Sequence, residues 1–135
     1  MPDFRLKNGE KIRTVKCLKA SATVIEAGDL VTLSSGLIIK AVAASAAIAY
    51  APNGAGNGET EIDVTVGNDF TLLGTGDEVF AATHKGAEVD LVGTTDLLID
   101  VGASSTDVFK VSISKDAGTV GATTNIEVRI NKPLF

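Results

Sequence analysis

Three stretches of this chain alternate apolar and polar residues with a period of two. In 60–66, Ile62, Val64 and Val66 fall on one side, and Glu61, Asp63 and Thr65 on the other. In 107–114, Phe109, Val111 and Ile113 alternate with Lys110, Ser112 and Ser114. In 125–131, Ile126, Val128 and Ile130 alternate with Glu127 and Arg129. Successive side chains leave opposite sides of a pleated strand, so this pattern marks strands with one face in a core. Val, Ile and Thr supply 38 of the 135 residues. Their branching at Cβ stiffens χ1 and suits a pleated surface better than a helix.

The chain has 14 Gly but only 3 Pro, so its turns rest on Gly, Asn and Asp. Turn signals recur roughly every 8–14 residues, the spacing of a β sandwich or barrel. Strands are expected in 12–19, 22–27, 30–33, 37–42, 69–73, 78–83, 87–92 and 96–101, besides the three alternating stretches. The Ala-rich residues 41–51 fit a short helix by propensity. Two short strands broken near Ala44 and Ser45 fit better, because β segments bracket them. Asn53-Gly-Ala-Gly-Asn-Gly58 reads as a mobile loop. The fold class is all-β: a compact single-domain sandwich or barrel of about ten short strands with at most one short helix. A chain this long buries a core without metals or disulfides.

The residues offer little chemistry. Nucleophilic catalysis needs a Ser or Cys beside a base that a third group holds in place. His84 is the one imidazole, and it reads as an exposed turn residue in Ala-Thr-His-Lys-Gly. Cys17 lies between Lys16 and Leu18 on an expected strand. A nearby Lys can activate a thiol, but a small apolar core residue is the better reading. No Gly-x-Ser-x-Gly elbow occurs. One Cys and one His exclude a multi-Cys zinc site or a His cluster. Asp29, Asp63, Asp77, Glu78, Asp96 and Asp107 sit at turns or outward positions, as a solvated face would place them. The Gly-rich run lacks the helix and Lys of a phosphate loop, and Glu59 and Glu61 follow it. Asn53, Asn57, Glu59 and Glu61 do not match a calcium loop. The expectation is a protein that is not an enzyme, with no catalytic residue, no cofactor and no metal.

Charge is more informative. The formal net charge is −5, which argues against nucleic-acid and anionic-membrane partners. Trp is absent and aromatics are 4%, so stacking platforms for sugars or bases are scarce. Residues 1–20 nevertheless carry six bases against two acids, and residues 21–135 carry six against fifteen. The expected organisation is a basic N-terminal arm, 1–11, and one β domain, 12–135. Arg5, Lys7, Lys11, Arg13 and Lys16 are candidate contacts to an acidic partner. Pro133 ends the last strand. Leu134 and Phe135 then either fold back on the core or plug a groove on a partner. The start lacks a signal peptide's apolar stretch. The run Leu37 to Ala51, broken by Lys40, is shorter than the roughly 20 residues that span a bilayer. Synthesis in a reducing cytoplasm is expected.

Val24-Ile-Glu-Ala-Gly-Asp-Leu-Val-Thr-Leu33 and Gly36-Leu-Ile-Ile-Lys-Ala41 resemble the opening of small tailed-bacteriophage capsid decoration (cement) proteins. In those proteins an Ala-Gly-Asp turn joins the first strands of a Gly/Ala/Thr/Val-rich β domain. Gly118-Thr-Val-Gly-Ala-Thr-Thr-Asn-Ile-Glu-Val-Arg-Ile130 is similar to their closing strand. The resemblance implies a structural virion protein, made in the host cytoplasm and placed on the outer capsid surface. There it bridges capsomers, with the major capsid protein and further copies of itself, such as a trimer, as partners. The basic leader, with Leu134 and Phe135, would then be the capsid contact. Removing 1–11 is expected to weaken capsid binding and leave the fold intact. The alternative is a ligand- or glycan-binding β module of a phage fibre or surface appendage, with Tyr50 or Phe70 exposed in a concave site.

Overall fold

The structure is a computed structural model that describes residues 4–8, 12–94 and 96–135. The strands in chain order are β1 (Arg5–Asn8), β2 (Thr14–Leu18), β3 (Leu30–Ser34), β4 (Leu37–Lys40), β5 (Ala49–Tyr50), β6 (Glu61–Thr65), β7 (Thr71–Gly74), β8 (Glu88–Val92), β9 (Leu98–Asp100), β10 (Phe109–Val111) and β11 (Ile126–Ile130). One 3-10 turn, Ala82–His84, is the helical element among the described residues. The chain is an all-β single domain, as its composition and periodicity require.

Six strands form one antiparallel sheet in the order β1-β7-β11-β10-β8-β9. Its inner face buries Leu72, Val89, Leu91, Ile99, Phe109, Val111, Ile126, Val128 and Ile130. These are the alternate residues of each strand, so the period-two pattern translates directly into a one-sided core. The other strands form the pair β2-β6 and the three-stranded sheet β4-β3-β5. Lys19 bridges Ile38 beyond the end of β2, and the Tyr50 N–H donates to Thr65 Oγ1 at 2.9 Å. These links close a ring in the order β6-β2-β4-β3-β5 and back to β6. The ring surrounds a smaller core of Ile25, Val31, Ile38, Ala49, Ala51, Ala55, Ile62 and Val64.

β3 and β5 lie between the two cores. Leu30 and Tyr50 face the larger core, while Val31 and Ala49 face the smaller one. A strand covered on both faces loses its alternation. That is why the Ala-rich 41–51 stretch was ambiguous in sequence: Ile48 to Ala51 is a continuous buried run. Ser45 closes a turn, its Oγ accepting the Val42 N–H at 3.0 Å, and the stretch holds one strand, β5, rather than the two expected.

Several expectations need correction. Residues 4–8 are not a free arm. β1 is the edge strand of the six-stranded sheet, and Phe4 is in the core, stacked on Phe109 with ring centroids 5.3 Å apart. The division at 11/12 therefore does not separate an arm from the domain, and truncation through residue 4 removes core. Residues 78–83 form no strand, and 22–27 contributes only the Ile25–Ala55 bridge. That bridge also ties down the Gly-rich run expected to be mobile: Ile25 and Ala55 exchange backbone hydrogen bonds of 3.0 and 2.8 Å. A Cβ on Gly54 would sit 2.9 Å from the Ile25 carbonyl oxygen. Glycine is needed there for close approach of two backbones.

Candidate partner-binding face

The outer face of the six-stranded sheet gathers charges that are far apart in sequence. Register places Arg5 opposite Leu73 and Leu73 opposite Glu127. One row over, Arg129 stands opposite Lys110, and Lys110 opposite Glu88. Lys7 projects onto the same face and forms an ion pair with Glu127. Arg5 donates to Asn125 Oδ1 at 2.7 Å. Four of the 12 basic residues of an acidic chain thus share one sheet face.

Lys110 and Arg129 are the unusual pair. Like charges directly opposite one another on antiparallel strands destabilise the sheet. Both are exposed, and neither has an ion-pair partner among the described residues. They flank a groove of about 310 Å3 that also includes Val111, Ser112 and Ile113. Thr71 lines it too, and its buried Oγ1 has no hydrogen-bond partner among the described residues. Glu127 lies in the same groove, but its charge is balanced by Lys7.

Two side chains here contradict the sequence reading. Ile113, expected in the core, is 80% exposed. β10 ends at Val111, and a turn in which the Ser114 N–H donates to Ser112 Oγ breaks the alternation. Glu127, expected in solvent, is 5% exposed. It does occupy the outer face, but the Lys7 side chain covers and neutralises it. A carboxylate so shielded is costly unless it is paired.

The other candidate contacts lie elsewhere. Arg13 and Lys16 belong to the smaller ring, where Lys16 Nζ stands 3.5 Å from Asp63 Oδ1. Lys11 lies outside the described residues. Leu134 packs against the smaller core, and its N–H donates to the Ile48 carbonyl at 3.0 Å. Phe135 leaves its ring half exposed while its carbonyl accepts the Gly67 N–H. Of the expected contacts, Arg5 and Lys7 thus share this face with Lys110 and Arg129, which the sequence does not single out. Both were assigned outward positions on alternating strands; only the register shows that they face each other.

The reactive residue types have structural surroundings. His84 is part-buried. Its Nδ1 accepts the Ala81 N–H at 3.0 Å, its ring meets Phe80 edge-on, and Glu78 lies 4.0 Å from Nε2. Cys17 packs against the smaller core. Burial, then the charge of Asp63, pushes its thiol above the usual range. Asp90 is buried and accepts the N–H groups of Ser105, Thr106 and Asp107. Burial pushes its carboxyl up, but those amides outweigh burial and hold it below the ordinary value. Its cross-strand neighbour Asp100 is raised, first by burial and then by the charge of Asp77. Asp77 is itself tied to the backbone, accepting the Val101 N–H at 3.2 Å. Among the described residues no group of three or more His, Cys, Asp or Glu is placed to hold a metal ion.

No family model, no curated protein and no solved structure matches this chain.

Proposed function

We propose that this chain is a structural virion protein that decorates the outer surface of a tailed-phage capsid and stabilises it by bridging capsomers. The observation that carries this reading is the unpaired, directly opposed Lys110 and Arg129 on the outer sheet face. Such a pair costs stability in the free protein, so it makes sense on a surface completed by a partner. The contact face is therefore the outer sheet face with Arg5, Lys7, Lys110 and Arg129, rather than a free leader. The major capsid protein is the partner, and neighbouring copies of this chain add to the contact. Many modest contacts on a repeating shell add up through avidity. The resemblance of 24–41 and 118–130 to cement proteins supports the same reading. Asp29 fixes the Ala-Gly-Asp turn, its Oδ2 accepting the Glu26 N–H at 2.9 Å.

The glycan-binding alternative lacks its platform. Tyr50 and Phe70 are 7% and 3% exposed and pack against each other in the core. The test is sedimentation of the purified protein with expanded empty heads of the phage that encodes it. Co-sedimentation that saturates, and weakens as salt screens the charges, is the expected result. Protein that stays in the supernatant at low salt overturns the proposal.

A further inference from the structure

We infer that the groove beside Lys110 and Arg129 takes an acidic, extended peptide segment of the partner, with one carboxylate seated between the two cations and an aliphatic side chain over Ile113. The inference deepens the capsid-contact reading and rests on it for the partner's origin, though not for the groove's chemistry. Directly opposite residues of an antiparallel pair have Cβ atoms about 4.5–5.5 Å apart. One carboxylate can therefore meet both the Lys110 ammonium and the Arg129 guanidinium, and the guanidinium offers a planar fork for it. Glu127 does not fill that role, because Lys7 already holds it.

The rest of the groove selects among anions. Ile113 lines it and is 80% exposed, whereas Val111, which also borders it, is buried with its side chain in the core. An inorganic anion gains nothing from such a wall. A nucleic acid would meet a chain of net charge −5, which repels a polyanion outside this face. A peptide satisfies both parts. Along an extended chain, alternate side chains point the same way about 6.6–6.8 Å apart, so an acid-x-aliphatic sequence sets a carboxylate on the cation pair and an apolar group near Ile113. The groove's roughly 310 Å3 suits two such side chains and not a folded domain.

The test is fluorescence anisotropy of the full chain at low salt with a labelled peptide alternating Glu and Val. Saturable binding is expected, with loss of affinity of about tenfold or more in Lys110→Ala/Arg129→Ala and a smaller loss in Ile113→Ser. A Gln/Val peptide should not bind. Thermal melts of the same variants check folding, and Arg129→Ala should melt no lower than the parent because it relieves the repulsion with Lys110 while leaving Lys110 opposite Glu88. Failure of the Glu/Val peptide to bind, equal binding by the double variant, or equal displacement by inorganic phosphate would each overturn the inference. Peptide binding by a protein that ignores phage heads leaves the groove assignment standing and removes the virion reading.

Discussion

Lys7 on the edge strand β1 reaches over β7 to pair with Glu127 on β11, two strands away. The contact fastens the N-terminal segment to the centre of the sheet and neutralises a carboxylate with a side chain only 7% exposed. Lys7→Ala leaves that carboxylate shielded and unpaired. The expected loss of unfolding free energy is about 1–3 kcal/mol, since the 28% exposure of the Lys7 side chain keeps the cost below that of a fully buried pair. Lys7→Ala with Glu127→Gln should lose less than Lys7→Ala alone. Urea denaturation of the three variants checks this; equal losses would contradict it.

Phe4 and Gly74 form a second long-range fit. A Cβ at position 74 would overlap the Phe4 ring, so glycine there makes room for that ring. Phe4→Ala should cost about 3–5 kcal/mol, and Gly74→Ala about 1–3 kcal/mol through overpacking. The double variant should cost clearly less than the sum, because removing the ring removes the clash. Strict additivity in chemical denaturation would show that the two do not share the space.

Asp90 and Asp100 stand opposite each other on β8 and β9 and should respond to pH with opposite signs. Asp90 is held below its ordinary value in the fold. Its contribution is complete above the unfolded carboxylate range and lost as pH falls through the lower folded value. Asp90→Asn should therefore destabilise at neutral pH, with a difference that shrinks in acid. Asp100 is raised, so ionising it costs the folded state at neutral pH. Asp100→Asn should stabilise there, and the gain should vanish below the unfolded carboxylate range. Unfolding free energies measured from neutral to acid pH decide both signs.

The Cys17 thiol is raised by burial and then by the charge of Asp63. Alkylation by iodoacetamide at neutral pH should be slower than that of an unstructured cysteine peptide, since the thiolate is the nucleophile. Asp63→Asn should speed it. Alkylation of the parent as fast as the peptide would contradict the assigned surroundings.

The fold class was legible because Ile62, Val64, Phe109, Val111, Ile126, Val128 and Ile130 all follow a two-residue period against a single buried face. What escaped has physical causes. Arg5–Asn8 carries two charges in four residues, which suits an edge strand with one face in solvent and gives no apolar alternation. Ile48 to Ala51 is covered on both sides, so no alternation marks it. Ile113 follows the pattern of β10 past the point where the hydrogen-bonded ladder ends. The site was half legible: a basic N-terminus is visible in composition, whereas the meeting of Lys110 with Arg129 depends on register across a turn-rich connection of more than a dozen residues.

The most direct measurement is electron cryomicroscopy of phage heads saturated with this protein, compared with heads exposed to Lys110→Glu/Arg129→Glu. The expected map has the outer face of the six-stranded sheet against the shell, Lys110 and Arg129 at acidic capsid residues, and bare heads for the variant. A protein bound by its smaller ring with that face turned to solvent, or a variant that decorates as fully as the parent, would contradict the account.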